Sequence, residues 1–195
     1  MKCRKFDIRQ WVLVTDWNPL TVWIYDEPYI RFPAADFSFN KIGDRYAHLS
    51  NNSVSKYANK INVTHHIEGN MWDLEEFQSH LLATYGYDVW SEKIYTGIKN
   101  IVINSLKSVQ ADFGSKKGVP FEMFGYDIMI DEDFNCWLIE VNSSPAMDYS
   151  TDVTANLVKK VSEDTVKVVV DYGMANERKR RKVDTGGFER IFKAR

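Results

Sequence analysis

Phe121-Glu-Met-Phe-Gly-Tyr-Asp-Ile-Met-Ile130, Asp131-Glu-Asp-Phe-Asn135 and Cys136-Trp-Leu-Ile-Glu-Val-Asn142 form two strand-like runs around an acidic turn. The natural conformation is a β-hairpin. With the turn centred on Asp133, Asp131 faces Cys136, Met129 faces Leu138 and Asp127 faces Glu140. Side chains alternate along a strand, so Asn142 shares the face of Glu140, diagonal to Asp127. Like charges opposed across a sheet repel, and the apolar neighbours Ile128, Ile130, Leu138, Ile139 and Val141 sharpen that repulsion.

A divalent cation would relieve it. Carboxylate and amide oxygens without His or Cys suit Mg2+, which keeps waters and substrate phosphates as its other ligands, so Asp127, Glu140 and Asn142 are candidate metal ligands beside a nucleotide. The same pattern also serves as a solvated acidic face at a sheet edge, and a one-residue slip in the turn would separate the trio.

Upstream, residues 6–15 and 20–32 are rich in Trp, Val, Ile, Tyr and Phe. They are separated by Asp16-Trp-Asn-Pro19 and broken again at Asp26-Glu-Pro28, which predicts three strands joined by tight turns. Residues 33–70 are polar and irregular. Asp73-x-x-Glu76 is a capping box that opens an amphipathic helix through Leu74, Phe77, Leu81 and Tyr85 to Gly86. A second helix carries Trp90, Ile94, Ile98, Val102, Leu106 and Phe113, and a last one spans about 151–170. The expected class is α+β, a mainly antiparallel sheet braced by helices.

The chain has 195 residues, 44% hydrophobic and 27% charged, which suits a folded domain and not a disordered one. Cys3 and Cys136 form no zinc or disulfide pattern, and no membrane span or signal peptide is evident, so the cytoplasm is the expected compartment. The net charge of −2 is uneven: from Asn176 onward eight Lys/Arg stand against three acids, so this stretch is +5 and the remainder −7. The expected organisation is a domain over residues 1–173 and a basic, mobile tail over 174–195.

Lys5, Asp7 and Arg9 alternate onto one strand face while Phe6 and Ile8 take the other, and alternating charges of this kind can hold a carboxylate or a polyanion. An exposed strand face would carry the same residues. Arg31, flanked by apolar residues, needs an anionic partner; an ordinary ion pair would satisfy it. His48-Leu-Ser-Asn51-Asn52-Ser53 and Lys56 supply small polar donors and a cation, though such residues also make plain turns. His65-His66 has no partner at metal spacing and reads as surface. Neither a glycine-rich phosphate loop nor a nucleophilic triad is present.

Lys5-Phe-Asp-Ile-Arg9, Arg31, His48-Leu-Ser-Asn51, Asp127 and Ile139-Glu-Val-Asn142-Ser-Ser-Pro145 together resemble the tubulin-tyrosine-ligase-like family of amino-acid ligases, over about residues 3–172. Within it, Ile8-Arg-Gln-Trp-Val-Leu-Val-Thr-Asp-Trp-Asn-Pro19, Leu49-Ser-Asn-Asn-Ser53 and Trp137-Leu-Ile-Glu-Val-Asn142 are most similar to the glycylase branch. Asn52 stands where other branches more often carry a tyrosine. The resemblance implies an ATP-grasp fold. It implies ATP contacts from Lys5, Phe6, Asp7, Ser50 and Asn51, and a magnesium site at Asp127, Glu140 and Asn142. Arg9 and Arg31 would act in catalysis on a bound carboxylate, with Asn52, Ser53 and Lys56 also at the substrate.

The implied activity is ATP- and Mg2+-dependent addition of glycine to glutamate side chains of tubulin tails, through an acyl phosphate. Tubulin and glycine are the implied partners, and the cytoskeleton and cilium the implied location. Family members carry further phosphate-contacting lysines and an adenine-binding strand before Lys-Phe-Asp, so these residues are expected to be the C-terminal half of the catalytic domain. Alternatives are a tubulin polyglutamylase of the same family and a non-catalytic module binding acidic tails. Arg178-Lys-Arg-Arg-Lys182 also resembles a nucleic-acid or import patch, a reading that ranks below these. Neither membrane nor nucleic acid is an expected partner.

Overall fold

A computed structural model describes residues 4–51, 54, 70–113 and 121–194. Among these residues seven strands form one antiparallel sheet: β1 Asp7–Trp17, β2 Leu20–Tyr25, β3 Tyr29–Arg31, β4 Met71–Trp72, β5 Glu122–Ile130, β6 Cys136–Asn142 and β7 Phe188–Lys193. The long β1 organises it. β5 runs along one edge of β1, while β3 and β2 pair in succession with the other edge, through Asp7–Arg9 and Val12–Trp17. β4, β7 and β6 extend the sheet outward from β3, β2 and β5.

Helices cover both faces. The main ones are α2 (Leu74–Tyr85), α3 (Tyr95–Phe113) and α4 (Asp152–Val166), with short helices α1 (Arg45–His48) and α5 (Glu177–Arg180). π-helical turns, Trp90–Ile94 and Lys167–Tyr172, precede α3 and follow α4. Alternation along β1 explains the layering. Ile8, Val12 and Val14 point to the layer of α2 and α3, where Phe77, Leu81, Ile98, Val102 and Leu106 meet them. Trp11 and Leu13 point the other way, onto Leu157, Val158 and Val161 of α4. No helix among the described residues is long and apolar enough to cross a membrane.

The expected capping box is present: Asp73 Oδ1 accepts from Glu76 N at 2.9 Å, Glu76 Oε2 accepts from Asp73 N at 3.2 Å, and Gly86 ends α2 at φ 78°. Two expectations need correction. Next to the hairpin turn the register is shifted by one residue from the expected pairing. Asp131 Oδ1 accepts the backbone N–H groups of Asp133 and Asn135, at 3.0 and 2.8 Å, so Ile130 pairs with Cys136 and Met129 with Trp137. A β-bulge at Ile139 then takes up the difference and restores Asp127 opposite Glu140.

The second correction concerns the separate tail expected over residues 174–195, since Phe188–Lys193 joins the sheet. Their β7 pairs with β2, and Phe188 is buried against Tyr25, ring centroids 4.9 Å apart. Gly186, at φ 58°, passes so close to Asp164 that a Cβ there would lie 1.9 Å from its carboxyl, and Gly187 N donates to Asp164 Oδ2 at 3.0 Å. The same carboxylate accepts from Tyr25 Oη at 3.0 Å and pairs with Lys167 Nζ at 2.8 Å.

Candidate functional site

Register assembles the charged residues. Asp7 lies opposite Arg31, and one row runs Tyr29, Arg9, Asp127, Glu140 across β3, β1, β5 and β6. This is the sheet face that α4 covers further along β1 at Trp11 and Leu13. The bulge decides which side chains join it. Cys136, before the bulge, packs into the α3 layer, its Sγ 3.5 Å from Ile94 O. After the bulge, Glu140 and Asn142 take the face of Asp127. A bulge next to a functional group re-aims side chains in this way.

Arg9 Nε donates to Asp127 Oδ1 at 2.6 Å and Nη2 to Oδ2 at 3.3 Å. Arg31 Nε donates to Asp7 Oδ1 at 2.6 Å, and Ser50 Oγ donates to Asp7 Oδ2. Arg31 Nη2 lies 2.6 Å from Asp127 Oδ2 but off the line of an N–H bond, so that contact is mainly Coulombic. Arg9, Arg31 and Asp127 are only 6%, 5% and 3% exposed. Two cations and two anions thus balance in a dry setting, where an unpaired charge would be costly. Burial alone would raise the Asp127 pKa, but Arg9 and Arg31 outweigh it and hold it below the usual carboxylate value. Burial alone would lower Arg31, and Asp7 and Asp127 outweigh that and raise it. Both arginines use Nε and Nη2, leaving Nη1 of each without a partner among the described residues.

Gly125, two residues before Asp127, makes room. A Cβ there would lie 2.8 Å from Pro145 Cβ and 3.3 Å from Arg9 Cδ, so a larger residue would push Arg9 out of line. Sequence reasoning missed it, although a glycine inside a strand signals such an approach. His48, named in the sequence among the polar residues that precede Asn51 but given no separate role, has its Nδ1 3.3 Å from Lys5 Nζ.

The expected metal trio is only partly drawn together. Both oxygens of Asp127 face arginines, so protein cations relieve the repulsion that suggested an ion there. Asp127 is therefore a shared counter-ion rather than an open ligand. Glu140 is exposed, and Asn142 Nδ2 donates to Glu140 Oε1 at 3.1 Å and approaches Gly125 O at 3.5 Å. That amide orientation turns its oxygen elsewhere. Among the described residues no three His, Cys, Asp or Glu side chains gather as metal ligands. A carboxylate beside an amide oxygen nevertheless fits a hard cation that keeps most ligands as water or phosphate.

Lys5 stands over the Phe37 ring at 5.3 Å. Phe6, expected at the nucleotide, is corrected to a core residue. Its ring packs on Phe32 and Phe77, centroids 6.0 and 5.6 Å away, because alternation turns it from the face of Asp7. Ser50 is buried on Asp7, while Asn51 is exposed. Asn52, Ser53, Lys56 and His65-His66 lie outside the described residues.

Sheet, helices and charged cluster together describe an α+β domain of ATP-grasp-like type. The model of the tubulin-tyrosine ligase family matches residues 1–178, and the chain belongs to that family. It is 49% identical to tubulin glycylase 3C of Tetrahymena thermophila over 197 residues, covering 100% of this chain and 18% of that protein. It is 44% identical to human tubulin monoglycylase TTLL3 over 191 residues, 97% of this chain and 24% of that one. Human protein monoglycylase TTLL8 is 43% identical over 191 residues, 97% and 21%. The chain thus spans 18 to 24% of the length of these three relatives.

Proposed function

We propose that this chain supplies the carboxylate- and magnesium-handling part of an ATP-dependent ligase that adds glycine to glutamate side chains of tubulin tails. The observation that supports it best is the buried cluster of Asp7, Arg9, Arg31 and Asp127 beside Glu140 and Asn142, in a chain similar to tubulin glycylases along its whole length. ATP transfers its terminal phosphoryl group to a glutamate carboxylate. The glycine amine then attacks the acyl carbon, phosphate leaves, an amide forms and the nitrogen loses a proton.

In this scheme Arg9 and Arg31 present Nη1 to a substrate carboxylate, held in place by Asp127 and Asp7 so that little reorganisation accompanies charge development. Glu140 and Asn142 would hold Mg2+, which supplies charge neutralisation on the nucleotide phosphates. Lys5, Asp7, Ser50 and Asn51 are assigned to the nucleotide side. Asn52, Ser53 and Lys56 are assigned to the substrate, and the setting is the microtubule cytoskeleton, including the cilium.

A chimera tests this: the chain replaces the aligned segment of the Tetrahymena glycylase and is incubated with tubulin, Mg2+, ATP and labelled glycine or glutamate. Glycine incorporation is expected. Glu140→Gln should abolish it together with metal-dependent nucleotide binding, with thermal unfolding unchanged. Glutamate incorporation alone would replace this reading by a polyglutamylase, and tail binding without incorporation by a binding module.

A further inference from the structure

Antiparallel pairing of β1 with β3 puts two residue pairs on the face of the charged cluster, Asp7 opposite Arg31 and Arg9 opposite Tyr29. Three corners of this square are charged, and their bonds run to one another, to Asp127 or to Ser50. The fourth corner, Tyr29, is neutral, and the ligase reading leaves it unused.

Tyr29 is 5% exposed. Its ring packs on that of Trp11, centroids 5.4 Å apart and planes tilted by 56°, within the apolar cluster that Leu157 and Val158 of α4 complete. That packing holds the ring at the border between the apolar layer and the charged residues. The hydroxyl bonds to nothing among the described residues, yet it is not sealed in the core as Trp11 Nε1 is. Arg9, Arg31, Asp127 and Asp7 all act on it electrostatically, and burial raises its pKa more than the two arginines lower it, so it keeps its proton at neutral pH. The carboxylate oxygens of the cluster already accept from Arg9, Arg31 and Ser50. A phenylalanine would fill the same space without leaving a hydroxyl unpaired beside the core, which is costly.

We propose that Tyr29 is a substrate-binding residue of this site, its Oη donating to the same carboxylate that Nη1 of Arg9 and Nη1 of Arg31 meet. The inference rests on the ligase reading for the identity of that substrate. A carboxylate has acceptor sites enough for three such donors, and a hydrogen bond to a charged oxygen is stronger than one between neutral groups. The ring, already held by Trp11, loses little freedom when the bond forms. A glutamate side chain and glycine both bring a carboxylate, and the experiment separates them.

Tyr29→Phe tests it, because the ring stays and only the oxygen goes. In the chimera described above, KM for tubulin or KM for glycine should rise at least about tenfold, with KM for ATP and the melting temperature unchanged. The substrate whose KM rises is the one that brings the carboxylate. Glutarate and glycine, titrated separately into the full chain and followed by nuclear magnetic resonance, give a readout that needs no turnover: one of them should bind, and bind at least about tenfold more weakly to Tyr29→Phe. Unchanged KM for both tubulin and glycine, an equal rise for ATP, a lowered melting temperature alongside the loss, or titrations that do not distinguish the variant from the parent would each overturn the proposal. A chimera that incorporates no glycine, with the titrations still distinguishing the two, would instead remove the ligase reading and leave Tyr29 as a carboxylate-binding residue.

Discussion

Asp127 sits between two cationic neighbours and one anionic one, and the cations decide its state. Both of its oxygens serve arginines that are themselves almost dry. Asp127→Asn would leave two guanidinium groups sharing the single carboxylate of Asp7, and breaking a buried pair in this way costs about 3–5 kcal/mol. Urea denaturation at neutral pH should show that loss. A change under about 1 kcal/mol would mean that water reaches the cluster and screens it. The residue types here were legible in the sequence, because alternation put Asp7 and Arg9 on one face and an arginine between apolar residues demanded an anion. Which partner each would take was not legible, since that depends on strand neighbours 118 positions apart in the case of Arg9 and Asp127.

At the scale of elements, the hairpin, the capped helix and the first three strands follow from local pattern, and the structure reproduces them. The bulge at Ile139 was invisible, because the one-residue register shift beside the turn and the bulge cancel and leave Asp127 opposite Glu140 either way. β7 was missed for a related reason. Phe188-Glu-Arg-Ile-Phe-Lys193 has its own bulge, which breaks the period of two, and its position follows a cluster of basic residues that reads as a solvated tail. What anchors it is a contact, the approach of Gly186 and Gly187 to Asp164, Tyr25 and Asp26. Gly186→Ala should therefore destabilise by more than about 1 kcal/mol, since it combines a left-handed φ with a collision. Faster amide exchange at Ile191 and Phe192 would confirm that the strand has been released. Unchanged exchange would show that β7 is held by its pairing alone.

For the whole molecule, the two helical layers and the sheet between them are tied by carboxylates bonded to cations, Asp127 and Asp164 buried and Glu189 exposed. Asp127, Asp164 and Glu189 all have pKa values below their usual range: burial pushes each up, but bonds from Arg9 and Arg31, from Lys167, Gly187 and Tyr25, and from Lys99 and Tyr95 outweigh it. A depressed carboxylate stabilises the fold above its unfolded pKa of about 4 and loses that contribution as pH falls through the lower folded value. Asp26, raised by burial and by Glu27, works in the opposite sense and offsets part of it. The melting temperature should therefore drop between about pH 5 and pH 3, and Asp127→Asn should drop less over that interval. An equal drop would assign the acid sensitivity to other groups. The bulge in β6 also divides one strand between two owners: the half next to the turn answers to the helix layer through Cys136, and the half ending at Asn142 answers to the arginine cluster. Change at the turn is thereby separated from the arginine cluster, which makes residues 131–135 the place where the chain can carry a fluorophore or a grafted loop while its carboxylates stay in position.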